Sequence, residues 1–362
     1  MTPVEHRVRE RINQSGPISI AEYMAIVLGD PEHGYYRTRD PLGTEGDFVT
    51  APEISQVFGE LIGLWCAATW RTMGAPDRVR LVELGPGRGT LMADAMRATK
   101  RVPEFLAAAD IHLIETSPAL RRRQHGVLAA LHPMWHERFA EVPEGPCLVI
   151  ANEFFDALPV EQFVRTPGGW RQRGIGINDA AGDLCFVLTD SGPTIPPAFQ
   201  DAPFGVLCEL RPDAEMLVGE IARRITRDGG AALIIDYGHA VRAPGETLQA
   251  VRRHRFDDVL AQPGLADLTA HVDFADVAEA ACTAGADVHG PVAQGTFLDR
   301  LGLGVRMRLL CNSSPDRAEE IRAGCRRIRD PDQMGKLFKA LAITPRGSPP
   351  LGGFEPNSAR PC

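Results

Sequence analysis

Long hydrophobic runs are missing from this chain of 362 residues. Although 44% of the residues are hydrophobic, no stretch approaches the roughly 20 apolar residues that a membrane-spanning helix needs. Residues 1 to 12 carry charges of both signs and no apolar segment of the kind that a signal peptide has. We therefore expect no membrane span, a cytoplasmic location and a large hydrophobic core.

Clustered cysteines and an excess of positive charge are also missing. The eight cysteines are scattered, with no C-x-x-C pair and no cysteine–histidine cluster at the spacing of a zinc site. We therefore predict no metal site. The formal net charge of -8 at pH 7 argues against a protein that binds nucleic acid mainly through phosphates. An acidic protein can still attract a basic substrate.

The clearest motif is a glycine-dense turn at residues 83–90, between an apolar strand and a helical stretch. Because glycine lacks Cβ, such a turn adopts unusual backbone angles and lets a ligand approach the main chain. A dinucleotide fingerprint, G-x-G-x-x-G, would need a glycine at Thr90. The observed E-x-G-x-G-x-G spacing instead resembles motif I of class I S-adenosylmethionine-dependent methyltransferases. The predicted cofactor-binding residues of this turn are Glu83, Gly85, Pro86, Gly87, Gly89 and Thr90.

Two further predicted strands end on polar residues, at the edge where open α/β sheets bind ligands. The strand at 111–115 ends on Glu115, at the position that takes the ribose hydroxyls in Rossmann-like sheets. The buried strand at 147–151 is followed by Asn152, which we assign to the cofactor site. Glu153 and Asp156 come next and are the first candidates for catalytic carboxylates, with a capped or solvated turn as the structural alternative.

The order of the predicted elements favours an α/β fold with a mostly parallel sheet and helices on both faces. We predict that Thr50 caps one long helix ending at Gly74, with Glu53 completing a capping box. Short strands and turn signals after residue 160 indicate an inserted antiparallel subdomain. The predicted segments are an N-terminal helical region with a lid loop at 1–75, a core at 76–160 and 211–343, the insertion at 161–210 and an irregular tail at 344–362.

Several sequence blocks in the same order resemble the MidA family, and the resemblance runs from about residue 18 to residue 342. It implies a class I methyltransferase fold, Rossmann-like, with S-adenosyl-L-methionine as methyl donor. The family includes a mitochondrial complex I assembly factor that methylates an arginine of an NADH dehydrogenase subunit, so a protein substrate of that kind is implied here. The blocks are 46–55, 83–90, 115–118, 152–159, 236–238 and 266–274.

Methyl transfer from a sulfonium is an in-line displacement, so the enzyme chiefly aligns donor and acceptor and excludes water. An arginine acceptor stays protonated, and carboxylates would orient its guanidinium. His271 and Asp273 are predicted as a catalytic pair, although a hydrogen bond that fixes their loop is equally consistent with the sequence. Asp47 in the lid and Tyr237 after a buried strand are predicted to bind substrate, with a turn and side-chain packing as their alternatives.

Three other functions remain open from the sequence. One is methylation of a small molecule, and another is a non-catalytic assembly or binding protein. The third is a nicotinamide-dependent oxidoreductase, which the glycine spacing disfavours.

A substitution in the glycine turn tests the cofactor assignment. Gly87→Val should abolish binding of S-adenosylmethionine and S-adenosylhomocysteine, because the side chain blocks the close approach of a ligand to the main chain. Calorimetric titration of the unchanged chain and of Gly87→Val with these ligands and with NAD measures the effect. Binding of NAD alone would contradict the methyltransferase interpretation.

Overall fold

The structure is a computed structural model that describes residues 1–38, 47, 49–189, 195, 199–355 and 359–360. Most of the predicted lid loop, residues 40–50, lies outside the described residues. The described chain contains the α-helices α1 Pro3–Ser15, α2 Ile20–Gly29, α3 Tyr35–Thr38, α4 Ala51–Ile54, α5 Gln56–Thr72, α6 Thr90–Thr99, α7 Pro103–Ala108, α8 Pro118–Leu128, α9 Pro212–Asp228, α10 Phe274–Thr283, α11 Gln294–Arg300, α12 Leu303–Ser313, α13 Ala318–Arg329 and α14 Met334–Leu337.

The strands of the described residues form three sheets. In chain order they are β1 Ile18–Ser19, β2 Val79–Leu84, β3 Ala109–Ile114, β4 Met134–His136, β5 Cys147–Asn152, β6 Glu161–Thr166, β7 Gly169–Ile177, β8 Leu184–Thr189, β9 Leu207–Leu210, β10 Gly230–His239, β11 Gln249–Arg252, β12 Arg255–Asp257, β13 Asp267–Thr269, β14 Val272–Asp273, β15 Ala286–Ala293, β16 Phe338–Pro345 and β17 Ala359–Arg360.

The chain divides into two compact units, each made of three segments. Unit 1 thereby combines the N-terminal region and the insertion with residues 241–271, which the sequence analysis assigned to the core. The predicted boundaries at 75, 160, 210 and 343 are therefore not those of the compact units. Unit 1 comprises Met1–Phe48, Asp156–Glu215 and Val241–His271, and unit 2 comprises Val49–Phe155, Met216–Ala240 and Val272–Cys362.

Unit 2 is built on a nine-stranded sheet in the order β17-β15-β16-β10-β5-β2-β3-β4, with β14 paired to β10. The strands β4, β3, β2, β5, β10 and β14 pair in parallel with one another. β16 runs antiparallel to both β10 and β15. The predicted α/β class with a mostly parallel sheet is therefore confirmed. The predicted irregular tail contains β17, which pairs with β15.

The parallel strands carry apolar side chains that form one core with the helices α5 and α6. Leu81, Leu113 and Ile150 are among its fully buried members. Gly63 of α5 allows the two helices to approach closely, since a Cβ at this residue would lie 2.4 Å from the carbonyl oxygen of Ala95 in α6. This packing holds β2 and α6, the helix that follows it, in a fixed geometry.

The predicted long helix from Thr50 to Gly74 is interrupted. Ser55 is extended, with φ -152° and ψ 119°, and it separates α4 from α5. The Thr50 side chain makes no capping hydrogen bond, so the predicted capping box is wrong. The Glu53 carboxylate instead accepts a short hydrogen bond from the Thr90 hydroxyl.

Unit 1 has a five-stranded antiparallel sheet in which β1, β6 and β8 pair with β7, and β9 pairs with β6. A second antiparallel sheet has the order β12-β11-β13. Side chains of α1 and α2 form a core with residues from β7, β11 and β13. Ser19 caps α2 by accepting a hydrogen bond from the Glu22 amide at 3.1 Å.

A buried carboxylate connects three helices of unit 2. Glu60 of α5 is 1% exposed and accepts hydrogen bonds from Arg306 of α12 at 2.6 and 2.9 Å and from Arg97 of α6 at 3.0 Å. Burial alone would raise the pKa of Glu60, but the hydrogen bonds from Arg306 and Arg97 outweigh it and lower that pKa. The carboxylate is therefore ionised and stabilises the folded state at neutral pH.

Removing this carboxylate should destabilise the fold. We expect Glu60→Ala to lower the free energy of unfolding at pH 7 by about 2–3 kcal/mol, because the charged hydrogen bonds from Arg306 and Arg97 are lost. The folded-state pKa is depressed, so this contribution is present above the unfolded pKa and is lost as the pH falls through the folded value.

Urea unfolding from pH 3 to pH 8 measures this effect. The control is Glu319→Ala, which removes an exposed carboxylate that pairs with Arg326 and Arg322 on α13 and should change stability little. Equal effects of the two substitutions would contradict a structural role for Glu60.

Candidate active site

The predicted glycine turn lies between β2 and α6. Gly85, Gly87 and Gly89 have φ values of +59°, +54° and +83°, a region that residues with a Cβ rarely adopt. Gly85 has no room for a side chain, because a Cβ there would lie 2.8 Å from the Phe154 ring. The Gly85 amide donates to the Ile114 carbonyl at 3.0 Å, which ties the turn to the end of β3.

Glu83 lies one residue before the end of β2 and is 3% exposed. Burial raises the pKa of Glu83 to about 8. Within the described part of the chain, its Oε2 atom has no hydrogen-bond partner. A buried carboxyl oxygen without a partner is unfavourable, and a ligand that carries an ammonium group would supply the missing donor. This observation fits the methionine end of the predicted cofactor.

Glu115 is connected to the glycine turn by a side chain that the sequence analysis missed. Its carboxylate accepts hydrogen bonds from the Ser117 amide at 2.7 Å and from Gln124 Nε2 at 3.1 Å. The same Gln124 nitrogen donates to the Gly87 carbonyl at 2.7 Å. Burial raises the pKa of Glu115, although hydrogen bonds from Ser117 and Gln124 oppose the shift. Gln124 therefore fixes the predicted ribose-binding carboxylate relative to the glycine turn.

Helix α4 contacts the same turn from a second side. Glu53 accepts the hydroxyl hydrogen bond of Thr90 and lies 3.7 Å from Arg88 Nη1. The predicted cofactor residue Thr90 is thus held at the first position of α6. The sequence analysis assigned Glu53 to capping because its spacing from Thr50 matches a capping box, and spacing alone does not reveal a partner so distant in the chain.

The end of β5 carries a strained acidic residue. Glu153 has a φ of +51°, a conformation that costs a non-glycine residue about 1–3 kcal/mol and that is frequent at functional sites. Its Oε1 atom accepts hydrogen bonds from the Ala51 amide at 2.9 Å and from Asn152 Nδ2 at 3.1 Å. The Asn152 Oδ1 atom is buried and has no partner among the described residues. A ligand donor could bind this atom, and the cofactor role of Asn152 stays a prediction.

The carboxylate of Asp236, fully buried near the end of β10, orders the segment that follows Glu153. Its Oδ2 atom accepts hydrogen bonds from the Phe154 and Phe155 amides at 3.1 and 3.0 Å. The next residue, Tyr237, contacts Phe338 with ring centroids 5.4 Å apart. Packing, the structural alternative for Tyr237, is therefore observed, and its role in substrate binding stays a prediction.

Asp273 and His271 lie in different units of the chain. Asp273 caps α10 by accepting a hydrogen bond from the Ala275 amide at 2.9 Å, and its other oxygen lies 3.2 Å from His239 Nε2. The His271 amide donates to the Thr247 hydroxyl at 2.9 Å. The structure thus gives Asp273 a histidine partner that the sequence analysis missed, and the catalytic role of His271 stays a prediction.

Three aspartates of unit 1, Asp47, Asp156 and Asp267, are buried. The Tyr35 hydroxyl donates to Asp47 at 2.7 Å, and the Tyr36 hydroxyl donates to Asp267 at 2.8 Å. Burial, followed by the charges of Asp156 and Asp47, raises the pKa of Asp267 to about 8. The predicted residues Asp47 and Asp156 therefore belong to one electrostatically coupled group. Asp267 was missed, although it lies in the block at 266–274.

Comparison with known proteins identifies the class of this chain. Residues 61–292 match the sequence profile of a family described as S-adenosyl-L-methionine-dependent methyltransferases. A relative from Drosophila melanogaster, named protein arginine methyltransferase NDUFAF7 homolog, mitochondrial, is 41% identical over 94% of this chain and 84% of its own length. The Mus musculus protein arginine methyltransferase NDUFAF7, mitochondrial, is 38% identical over 99% of this chain and 88% of its own length.

A solved structure supports the same class. A Burkholderia thailandensis protein bound to S-adenosyl-homocysteine is 28% identical, with a TM-score of 0.85 over 99% of this chain and 95% of that protein. The predicted class I methyltransferase fold is therefore confirmed. The predicted cytoplasmic location is wrong, because the relatives are named mitochondrial. None of the helices described here combines the length and the apolar character needed to cross a membrane.

Proton release on ligand binding tests the role of Glu83. At pH 7 the free protein should hold a proton on Glu83, whose pKa is about 8. An ammonium group placed beside it favours the carboxylate, so binding of S-adenosylhomocysteine should release up to about one proton. Calorimetry in buffers of different ionisation enthalpy measures this release, which Glu83→Gln should remove. Equal release by the two proteins would refute the contact.

Proposed function

The chain belongs to the family of S-adenosyl-L-methionine-dependent methyltransferases, and from this premise we propose that it methylates an arginine side chain of a protein. The methyltransferase class, the cofactor and the resemblance to the MidA family are confirmed by the comparisons. The observation that carries the arginine proposal is the name shared by relatives that are 37–41% identical over nearly the whole chain, protein arginine methyltransferase.

The polar groups at the strand ends support a specific orientation of the cofactor. Glu83 and the backbone of the glycine turn would hold the methionine moiety, and Glu115 would accept hydrogen bonds from the ribose. Asn152 would contact the cofactor with its partnerless Oδ1 atom. When bound, S-adenosyl-L-methionine supplies an electrophilic methyl group on a sulfonium, so the protein needs no covalent nucleophile.

The acidic group of unit 1 supports a cationic acceptor. A guanidinium presents several donors in a plane and remains charged at neutral pH. Asp47 and Asp156 would pair with it through charge-assisted hydrogen bonds, which orient the fork and hold the positive charge away from the attacking nitrogen. Binding of such a cation would also favour the ionised form of Asp267, whose pKa is raised by burial and then by the neighbouring negative charges.

The resemblance to the MidA family implies a subunit of NADH dehydrogenase as the protein that carries this arginine. Within this proposal, the chain modifies that subunit during assembly of the respiratory complex. Glu153 contributes by holding Ala51 at the start of α4, and its catalytic role stays a proposal together with those of Asp156, His271 and Asp273. The experiment below therefore measures methylation of the acceptor and affinity for the cofactor separately.

NADH dehydrogenase isolated from cells that lack this chain is the appropriate substrate. With S-adenosyl-[methyl-³H]methionine and the purified chain, label should appear in methylarginine after hydrolysis. Asp156→Asn should reduce the rate by about 10² or more with little change in S-adenosylhomocysteine affinity, because it removes a charge that pairs with the acceptor.

The matched control is Asp179→Asn, which changes an exposed aspartate of the same unit and should leave the rate unchanged. Label in lysine, or label only in small molecules, would contradict the arginine proposal. Loss of cofactor affinity in Asp156→Asn would instead show that Asp156 acts through the cofactor site.

A further inference from the structure

His239 is the last residue of β10, and the backbone around it allows little variation. Gly238 and His239 pair in parallel with Val272 and Asp273 of β14. A Cβ at Gly238 would lie 2.0 Å from the Val272 carbonyl oxygen, so only glycine permits this approach of the two strands. The close approach brings His239 and Asp273 side by side.

Asp273 fixes the orientation of the His239 imidazole. One carboxylate oxygen of Asp273 accepts hydrogen bonds from the Ala275 and Asp276 amides at 2.9 and 3.3 Å, and the other lies 3.2 Å from His239 Nε2. Asp273 is 4% exposed, whereas the His239 side chain is 28% exposed. A carboxylate on Nε2 favours the tautomer that carries its hydrogen there, which leaves the lone pair on Nδ1.

The register of the sheet puts His239 on the face that carries the cofactor residues. Glu83 lies opposite Ile150, and Asn152 lies two residues further along β5, opposite Ile235 of β10. Since side chains alternate along a strand, Glu83, Asn152 and His239 share one face of the sheet. His239 lies about 13 Å beyond Ile235 along β10, at about 3.3 Å per residue.

The position along the sheet edge suits a group that faces the acceptor. Glu83 and Glu115 are at the ends of β2 and β3, where the cofactor would bind. The next strands along the sheet are β5 and then β10. The end of β10 is therefore next to β5, which carries the predicted cofactor residue Asn152. No residue of β10 is itself among the predicted cofactor residues. His239 also has a fixed orientation and access to solvent.

We propose that His239 is the proton acceptor of the methyl-transfer reaction and that Asp273 positions it. This inference rests on the proposed function in one respect, namely that the acceptor is a nitrogen that carries a proton. As the nitrogen–methyl bond forms, the sulfur–methyl bond breaks and its electron pair stays on sulfur, which becomes a neutral thioether. The attacking nitrogen gains positive charge, and its proton passes to Nδ1 of His239.

The charges around His239 make this transfer feasible. An arginine that receives a methyl group before losing a proton carries two positive charges and is far more acidic than an imidazolium. Asp273 balances the charge of the imidazolium that forms. The amide of Asp276, at the start of α10, donates to Asp273, and the Nζ atom of Lys339 in β16 donates to the Gly238 carbonyl at 3.1 Å. Burial lowers the pKa of Lys339.

Single-turnover rates as a function of pH test this role with the acceptor that the wild-type enzyme labels. His239→Gln retains a donor for Asp273 and removes the base, so the rate should fall about 10²-fold. The KM for the acceptor and the affinity for S-adenosylhomocysteine should stay unchanged, and the decline of the rate at low pH should disappear. Asp273→Asn should also lower the rate, because it removes the carboxylate that orients the imidazole.

The control variant is His6→Gln, which changes an exposed histidine of α1 and should leave the rate and its pH profile unchanged. An unchanged rate and pH profile in His239→Gln would overturn the proposal. A lower rate together with a higher KM for the acceptor and a weaker affinity for S-adenosylhomocysteine would also overturn it, because such a combination indicates a structural role.

The tautomer of His239 gives a readout that does not depend on the acceptor. Nitrogen NMR of the ¹⁵N-histidine-labelled full chain, bound to S-adenosylhomocysteine and assigned with His239→Gln, should show hydrogen on Nε2 and a lone pair on Nδ1 at neutral pH. Hydrogen on Nδ1 would overturn the proposal whichever acceptor is used. Failure of the arginine proposal would appear separately, as label in a different residue or molecule.

Discussion

The parallel register of β3, β2, β5 and β10 is the constraint on which the site depends. It aligns the carboxyl ends of strands that are far apart in the chain, so that Glu83, Glu115 and Asn152 lie at the ends of apolar strands along one edge. The apolar side chains that hold these strands against α5 and α6 exclude water from the base of the site. The core of unit 2 therefore determines both the position and the electrostatics of its polar edge.

Several polar groups at this edge are poorly suited to stability alone. Glu83 is buried with a raised pKa and a partnerless oxygen, and Glu153 adopts a left-handed backbone conformation. Such features persist where the surrounding structure fixes them, and they are frequent where a ligand or a reaction uses them. By contrast, Glu60 is equally buried and is satisfied by two arginines. The contrast distinguishes Glu60, a structural carboxylate, from Glu83 and Glu153, for which a role at the site is proposed.

Local signals in the sequence were sufficient to place the glycine turn after β2 and Glu115 after β3, because strand, turn and helix follow one another in the chain. The fold class was accessible for the same reason. The links from Gln124 to Gly87 and from Asp236 to Phe154 were not accessible, since they join residues that only the folded sheet brings together. The pairing of His239 with Asp273 depends on the close approach at Gly238, and Glu53 was misassigned because its spacing fits a helix cap.

The most direct test of the account is a crystal structure of this chain bound to S-adenosylhomocysteine. The account predicts that the amino group of the ligand lies about 3 Å from Glu83 Oε2 and that the ribose hydroxyls lie at a similar distance from the Glu115 carboxylate. It also predicts that the glycine turn keeps its backbone conformation. A ligand that leaves Glu83 and Glu115 without contact, or that lies at the opposite edge of the sheet, would contradict it.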